Sequence, residues 1–266
     1  MPHFITYFLL FSTLAISCSC FNTKNLNISQ LDPDWSPAGA THYGDRNGAG
    51  STGGACGYTN SVAQPPFSSF VSAGGSSLFK SGKGCGACYE VKCTENAACS
   101  GNPVTVVITD SCPGSDCGSQ PVHFDMSDTA FVALAIPGNA DQLRTAGVLN
   151  VLYRRVQCNY PGVPVSFGVL SGSSPYYFET LIEYVSGSGA LSAVELKQAS
   201  ASPDSWLSMQ QSWGAVWKLE NHSGLTAPPF SLKLIDESGN TLVADNVIPA
   251  NWQPGTTYQS AVTPFA

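Results

Sequence analysis

The sequence predicts an all-β protein of two domains, a compact β-barrel followed by an immunoglobulin-like β-sandwich. Short β-branched runs bounded by Gly, Pro or Asn recur along the chain, which is typical of strands joined by turns. The composition changes near residues 161–164, after which no cysteine occurs. A length of 266 residues suits two domains that each bury a core.

The amino terminus carries the pattern of a secretory signal. Residues 1–20 contain no Asp, Glu, Lys or Arg, and an apolar run from Tyr7 to Ile16 precedes small residues. This pattern predicts a signal peptide over residues 1–20, and the run is too short for a comfortable membrane span. Residues 21–37 are polar and are expected to form a flexible N-terminal segment of a secreted, extracellular protein.

Two acceptor sequons accompany this prediction. Asn27-Ile28-Ser29 lies in the N-terminal segment and Asn221-His222-Ser223 lies further along the chain. Secretion therefore predicts glycosylation at Asn27 and Asn221.

The first domain is predicted over residues 38–161. Residues 40–77 are rich in Gly and Ser and indicate loop. No Lys-Ser or Lys-Thr closes these glycines into a phosphate-binding pattern, so no nucleotide cofactor is expected. The expected strands are 87–93, 104–108 and 148–156, and the apolar spacing over 124–135 predicts one short helix.

Eight of the ten cysteines lie in this first domain, between Cys56 and Cys158. An even number in a secreted chain predicts disulfide bonds. Zinc is the alternative, because Cys85-x-x-Cys88 has the spacing of a ligand pair. No second pair completes such a site, and we therefore expect no metal.

The second domain is predicted over residues 162–266. Regular short strands separated by turn residues favour a β-sandwich. The expected strands are 165–170, 178–185, 193–197, 215–219, 231–235 and 241–247.

Charge excludes several classes of partner. The chain has a net charge of −7, and residues 162–266 hold three Lys or Arg against eight Asp or Glu. An acidic chain with few cations is a poor binder of nucleic acid and of anionic membranes. We expect a monomer with no nucleic-acid partner and no membrane insertion.

A candidate site surrounds the segment 109–125. Asp110 ends a predicted strand, and His123 and Asp125 follow one loop later. Two neighbouring carboxylates can have their pKa values pushed apart, so that one stays protonated as an acid. The alternative is structural: Asp125 caps the predicted helix and His123 packs in the core.

Seven motifs in a fixed order make the chain resemble the expansins, and among them the plant β-expansins. The motifs are Thr41-His42-Tyr43-Gly44, Gly54-Ala55-Cys56-Gly57, Cys85-Gly86-Ala87-Cys88-Tyr89-Glu90-Val91-Lys92-Cys93, Thr109-Asp110, His123-Phe124-Asp125, Arg154-Arg155-Val156-Gln157-Cys158 and Ser212-Trp213-Gly214-Ala215-Val216-Trp217. The resemblance covers nearly all of the chain after the predicted signal.

The resemblance implies a fold and a cysteine pairing. The first domain would be a six-stranded double-psi β-barrel like that of family-45 endoglucanases, and the second a β-sandwich that binds wall polysaccharide. The family pattern implies the disulfides Cys56–Cys85, Cys88–Cys158 and Cys93–Cys99, and the remaining Cys112 and Cys117 are expected to pair with each other.

The resemblance also implies a function. Expansins loosen plant cell walls without hydrolysis, by disrupting non-covalent contacts between cellulose and matrix polysaccharides such as xylan. The groove residues carried over are Thr41, Tyr43, Asp110, His123 and Asp125. Asp125 corresponds to the general acid of the endoglucanases, while the second carboxylate that inverting hydrolysis requires is lacking in expansins.

Two positions keep other functions open. His42 stands where the family usually has an aromatic residue, which removes a stacking surface. Asp45 lies close to the position of an endoglucanase base, so an endo-acting glycoside hydrolase with Asp125 as acid and Asp45 as base is the alternative; the structural interpretation of Asp45 is a turn residue.

A carbohydrate-binding or defence protein of barwin type would explain the barrel but not the second domain.

In the second domain Tyr177 and Trp213 match the family's exposed aromatic platform for sugar rings. Their alternative role is core packing, which we expect instead for Trp206, Trp217 and Trp252. The acidic second domain argues against general electrostatic attraction to acidic xylans.

Overall fold

The computed structural model describes residues 35–221, 223–225 and 227–261. The predicted signal peptide, most of segment 21–37 and Asn27 lie outside these residues.

Six strands of the first domain close into a barrel. They are β1 Ser36–Tyr43, β2 Val71–Gly74, β3 Cys88–Lys92, β4 Val104–Ser111, β5 His123–Ser127 and β6 Leu149–Val156. Their order around the barrel is β1-β5-β2-β4-β3-β6. The pairs β1–β5 and β2–β4 are parallel and the other four pairs are antiparallel. The six-stranded double-psi barrel is thereby confirmed.

Strand alternation decides which side chains fill the barrel. Phe124 and Met126 of β5 are fully buried with Val91, Val106 and Ile108 in one apolar cluster. Because successive side chains of a strand point to opposite faces, Asp125 lies on the other face of β5.

The helix expected over 124–135 is wrong in its first part. Residues 123–127 form β5, and the helix α3 covers only Asp128–Val132. Around Phe124 the apolar residues alternate with polar ones, as in a strand. Only further along the segment do they follow the spacing of a helix. Ser127 caps α3, since its Oγ accepts a hydrogen bond from the Ala130 N–H at 3.2 Å. The expectation that Asp125 caps the helix is therefore wrong.

The remaining helices are short. They are α1 Ser76–Phe79, α2 Ser115–Gly118 and α4 Ala140–Arg144, with 3-10 turns at Thr59–Ala63 and Lys80–Gly82.

The region expected as loop contains the second half of β1 and all of β2. The small residues that indicate loop are required by close packing: Ala38 and Ala40 are buried, and a Cβ on Gly39 would lie 2.7 Å from His123 Nδ1. β1 also starts at Ser36 behind the buried Trp35, so the last residues of segment 21–37 belong to the barrel.

Nine strands form the second domain, in two sheets. They are β7 Ser166–Val169, β8 Tyr177–Glu183, β9 Leu191–Gln198, β10 Leu207–Ser208, β11 Gln210–Trp213, β12 Val216–Glu220, β13 Phe230–Asp236, β14 Thr241–Ile248 and β15 Thr257–Gln259. The sheets have the orders β10-β9-β13-β14 and β11-β12-β8-β7-β15. The predicted sandwich is confirmed, and each of the six expected strands overlaps an observed one; the short strands β10, β11 and β15 were not anticipated.

The sandwich core lies between the two sheets. Phe167, Phe178 and Phe230 are fully buried there, and Trp217 and Trp252 pack in the same cluster as expected. The expectation for Trp206 is wrong. Its ring lies between two lysine ammonium groups, Lys197 at 4.7 Å and Lys233 at 4.5 Å, because these side chains point outward from the strands that carry the buried Leu196, Leu232 and Leu234.

Four disulfides connect the barrel: Cys56–Cys85, Cys88–Cys158, Cys93–Cys99 and Cys112–Cys117. The first three are the pairs that the resemblance implied, and the fourth is the pairing expected for the two remaining cysteines. Cys85 and Cys88 bond to different partners, which leaves no thiolate pair for the zinc alternative. In the described part of the chain, no helix combines the length and apolar character that crossing a membrane requires.

The sandwich packs directly on the barrel. The Ala215 N–H donates to the Cys56 carbonyl at 3.0 Å, and the Cys158 N–H donates to the Gly187 carbonyl at 2.7 Å. At Gly214, φ is +49° and a Cβ would lie 2.4 Å from the Ala55 carbonyl oxygen. Only glycine fits this close approach without strain.

We predict that Ser127→Ala lowers the free energy of unfolding by about 1–2 kcal/mol, because α3 loses its capping oxygen in a buried position. Urea denaturation without reductant measures it. Ser208→Ala, on an exposed residue, is the control and should change stability by less than about 0.5 kcal/mol. Equal effects of the two substitutions would contradict the cap.

Candidate functional site

The parallel pairing of β1 with β5 brings the candidate residues together. Thr41 lies opposite Asp125, and Tyr43 lies opposite Ser127, along this ladder. His123 starts β5, and Asp110 lies near the end of β4. The five residues named from the sequence thus occupy neighbouring strand positions at one side of the barrel.

A hydrogen-bonded chain links three of them. The Thr41 Oγ1–H donates to Asp125 Oδ1 at 2.6 Å, and His123 Nε2 lies 3.0 Å from Thr41 Oγ1. A hydroxyl has a single proton to donate, so His123 donates its Nε2–H to Thr41. The fully buried imidazole orients the threonine, and the threonine orients the carboxyl group.

Burial raises the pKa of Asp125 above its usual value. The Thr41 hydrogen bond, His123 and His42 act in the opposite direction, and the charge of Asp110 adds to the increase. Asp125 therefore takes up a proton more readily than an exposed carboxyl group does.

Asp110 has a different environment. Its Oδ1 accepts two backbone N–H bonds, from Ala55 and from Ser111, each at 2.7 Å. Both bonds use the same carboxyl oxygen, whose two lone pairs can accept one hydrogen bond each. Asp110 therefore fastens the Gly54–Gly57 loop to the end of β4.

Tyr43 packs against the glycine-rich loop that follows β1, at Gly50. Burial and the nearby Asp110 raise the pKa of its phenol, which keeps it neutral. A Cβ at Gly50 would lie 2.4 Å from Tyr43 Cζ, and φ at Gly50 is +77°. The absence of a side chain at Gly50 makes the room that the ring occupies.

A groove of about 360 Å³ opens beside Asp125. It is lined by Thr41, His42, Cys112, Gly114, Cys117, Asp125, Arg144, Gly147 and Val148. Tyr43, Asp110 and His123 are not among these lining residues and support the site from beside or below. Cys112, Cys117 and Asp125 group closely enough to suggest metal ligands, but both sulfurs belong to one disulfide.

Arg144 is a groove residue that sequence reasoning missed. Its Nε and Nη2 donate to Asp128 at 2.8 and 2.7 Å, and its Nη1 donates to Asp141 at 2.6 Å. These bonds lower the pKa of the buried Asp128, which also accepts the Asn47 N–H at 2.7 Å. The groove therefore ends at a cation with a fixed position. Nothing in the sequence pattern indicates that Arg144 lines the groove, because it reaches the groove only through the packing of α4.

His42 retains part of the role that an aromatic residue would have. Its ring packs 4.8 Å from that of Phe131, and its Nδ1 lies 3.4 Å from Asp128 Oδ1. With 29% of its side chain exposed, the imidazole offers the groove a small ring face with a polar edge.

Asp45 lies outside the groove lining. It is exposed, and its carbonyl accepts the Gly48 N–H at 2.9 Å, which is the geometry of a turn. Among the lining residues described, Asp125 is the one carboxylate.

Trp213 and Tyr177 share the outer face of the five-stranded sheet. Phe178 and Ile182 of β8 point into the core, so Tyr177 and Leu181 point outward. A Cβ at Gly57 would lie 2.8 Å from the Trp213 ring and 3.5 Å from Leu181, which places Trp213 on the same face.

This aromatic face lies next to the barrel. Trp213 pairs with Val216 and Tyr177 with Glu220, so their backbone positions, on either side of β12, are offset by four residues, about 13 Å along the strand. Trp213 is 48% exposed, and the Lys218 ammonium lies 6.0 Å from the Tyr177 ring. Tyr176 is 64% exposed and is a further aromatic residue that sequence reasoning did not select.

Comparisons with known proteins match both domains. A family model of the double-psi β-barrel, described as lytic transglycolase, matches residues 71–153, and one described as the expansin C-terminal domain matches residues 165–249. The chain is 58% identical to putative expansin-B2 of Arabidopsis thaliana, over 96% of both chains. It is 57% identical to expansin-B11 of Oryza sativa subsp. japonica, over 86% of this chain and 77% of that one.

Solved structures share the fold. The apo expansin of Clavibacter michiganensis has a TM-score of 0.64 at 24% identity, and covers 87% of this chain and 100% of its own. A mutant of that expansin in complex with cellohexaose has a TM-score of 0.64 at 22% identity, with the same coverage.

The two-domain fold and the matches to both of its domains define a cell-wall-loosening protein. The chain belongs to the expansin family, within its plant β-expansins. Expansins are cell-wall proteins and are non-hydrolytic, so the alternative of a glycoside hydrolase with Asp45 as base is not retained.

We predict that Asp125→Asn is at least as stable as the parent at pH 7. The folded-state pKa of Asp125 is raised, so its contribution to stability is complete below the unfolded pKa and is lost as pH rises through the folded pKa. The parent therefore carries the cost of a buried charge at pH 7, and the amide does not.

Melting temperatures measured from pH 7 to pH 4 test this. The advantage of Asp125→Asn should shrink on acidification, while Asp45→Asn, on an exposed residue, should differ little from the parent. A loss of about 1 kcal/mol for Asp125→Asn at pH 7, the typical cost of a lost cap, would contradict the assignment.

Proposed function

We propose that this β-expansin binds one polysaccharide chain along a continuous surface from the Asp125 groove to Trp213. The observation that carries the proposal is the contact between the Trp213 ring and Gly57. The loop of Gly57 is the one that Asp110 fastens through the Ala55 N–H. The Gly54–Gly57 loop therefore connects the barrel beside the groove with the aromatic face, and its hydrogen bond to Asp110 holds it in place.

The groove would hold the chain through hydrogen bonds. Asp125, oriented by Thr41, would grip sugar hydroxyls, and Arg144 would donate from the end of the groove. A lone acid contributes only about 10²–10⁴-fold to glycoside cleavage and lacks a partner to direct water. Binding without cleavage is the outcome that these residues favour.

The aromatic face would hold the same chain by stacking. Trp213 and Tyr177 offer ring faces from backbone positions offset by about 13 Å along the strand, and Lys218 lies beside Tyr177. Flat aromatic pairs contribute about 0.5–1.5 kcal/mol beyond the area that they bury. A chain held at both places would be lifted from its neighbours, which would disrupt the non-covalent contacts between cellulose and matrix polysaccharides.

Cellulose is the first candidate partner. A mutant of the bacterial expansin has been solved in complex with cellohexaose, which is a short piece of cellulose. Xylan and other matrix glycans offer similar hydroxyls and apolar ring faces and are the second candidates. A monomeric protein without a cofactor suffices for this mode of binding.

Secretion completes the proposal. The signal peptide at residues 1–20 would bring the chain to the wall, with the domains divided near residues 161 and 162. Asn221 is partly exposed, which would allow a glycan there, and Asn27 would carry another.

We predict that Asp125→Asn abolishes the creep of heat-inactivated wall strips that the parent induces. The matched control is Asp45→Asn, which removes the same charge from an exposed turn and should retain creep. Neither protein should release reducing ends from β-glucan. Full creep by a correctly folded Asp125→Asn protein would remove Asp125 from the proposed site.

We predict that Trp213→Ala weakens binding of the full-length protein to insoluble cellulose about tenfold, since the stacked ring and its buried area are lost together. Trp206→Ala is the matched control, because Trp206 lies on the outer face of the opposite sheet, and it should bind as the parent does. Pull-down isotherms give both affinities. Equal losses for the two variants would refute the aromatic platform.

A further inference from the structure

A second cavity, of about 540 Å³, lies at the seam between barrel and sandwich. It shares no lining residue with the groove. The barrel contributes Lys80, Tyr89, Tyr153 and Arg155, and the sandwich contributes Ser188 and Glu237. A volume between about 300 and 1,000 Å³ is typical of small-ligand sites.

This cavity is locally cationic in an acidic protein. The chain has a net charge of −7, but here two cations meet one carboxylate. Glu237 Oε1 lies 3.3 Å from Lys80 Nζ, and Glu237 Oε2 lies 3.1 Å from Arg155 Nη2. A single carboxylate can neutralise only one of the two charges, so one positive charge remains for an anionic ligand.

The guanidinium of Arg155 is held in place with a donor left over. Its Nη1 donates to Tyr89 Oη at 2.9 Å and its Nη2 donates to the Ser188 carbonyl at 2.5 Å. Its Nε is buried, so the donor that remains for a ligand is the second N–H of Nη1. Lys80 uses one of its three N–H donors on Glu237, and its side chain is 46% exposed.

Aromatic rings form the other wall. The partly exposed Tyr153 ring packs 6.0 Å from Tyr89 and 5.4 Å from the buried Phe124, so it is rigidly backed. A tyrosine face beside cationic donors suits a ring that carries a carboxylate, since the ring stacks while the carboxylate receives charge-assisted hydrogen bonds.

We propose that this seam cavity binds uronate-bearing glycans, with the uronate carboxylate at Arg155 and Lys80 and the sugar ring on Tyr153. A neutral glucan would leave the excess positive charge unpaired, and a small inorganic anion would not use the aromatic wall. The site lies behind the groove: Phe124 of β5 supports Tyr153, while the next residue, Asp125, lines the groove. One molecule thus engages a neutral chain in the groove and an acidic matrix chain at the seam.

Calorimetric titration of the full-length protein tests this proposal. The probes are a glucuronate-substituted xylo-oligosaccharide, an oligogalacturonate and an unsubstituted xylo-oligosaccharide. Tighter binding of either acidic probe than of the neutral one supports the site, and the preferred acidic probe identifies the source of the uronate. Equal binding of acidic and neutral probes overturns it.

Three charge substitutions locate the binding. Lys80→Gln should weaken the acidic probe about tenfold, the effect of one charged hydrogen bond, and Glu237→Gln should tighten it because the competing carboxylate is gone. Lys83→Gln is the matched control, since Lys83 is exposed and lies three residues away outside this cavity; it should change little. An equal loss for Lys80→Gln and Lys83→Gln, or weaker binding by a folded Glu237→Gln protein, would refute the proposal.

Asp125→Asn separates this inference from the proposed function. It should leave the affinity for the acidic probe unchanged, because Asp125 lines the groove and not the seam. Loss of acidic-probe binding in Asp125→Asn would assign that binding to the groove and overturn the second site.

Discussion

The parallel pairing of β1 with β5 is the constraint on which the site depends. This register sets Thr41 opposite Asp125, within 2.6 Å of its Oδ1, and His123 lies within 3.0 Å of the same hydroxyl. A shift by one residue would turn Asp125 into the barrel core and Phe124 into the groove. The buried Phe124 and Met126 therefore fix the carboxyl group as firmly as its own hydrogen bond does.

A second set of contacts ties the surroundings to this register. The buried Asp128 follows β5 by one residue and binds Arg144, the Asn47 backbone and the edge of His42. One paired carboxylate thus positions the glycine-rich loop after β1, the helix α4 and the cation at the end of the groove. Removing one partner of such a pair leaves a buried charge uncompensated, at a cost of about 3–5 kcal/mol.

The sequence pattern predicts the fold class well and its local details less well. Val104 to Ile108 and the sandwich runs are recognisable as strands because β-branched residues there follow strand geometry. β1 is hidden because Ala38 and Ala40 are buried in the barrel and Gly39 lies against β5 and the loop before it. All three residues must therefore be small, and small residues resemble loop. The segment from His123 onward changes from the period of a strand to that of a helix, so only the cap residue Ser127 marks where α3 starts, at Asp128.

The site shows a similar division. Asp110, His123 and Asp125 stand out by chemistry and by resemblance, and the strands do place them together. Arg144, Val148 and Tyr176 carry no local signal, since their exposure results from the packing of distant elements. The cationic seam is equally invisible in a sequence of net charge −7, because Lys80, Arg155 and Glu237 meet only when the two domains are packed.

The proposed function requires one polysaccharide chain to span the groove and the aromatic face. Titration of the full-length protein with cellohexaose, followed by NMR on the Thr41 amide and the Trp213 indole, tests it most directly. The account predicts that both signals shift with one Kd and one hexasaccharide per protein. Different Kd values for the two signals, or two hexasaccharides per protein, would contradict it.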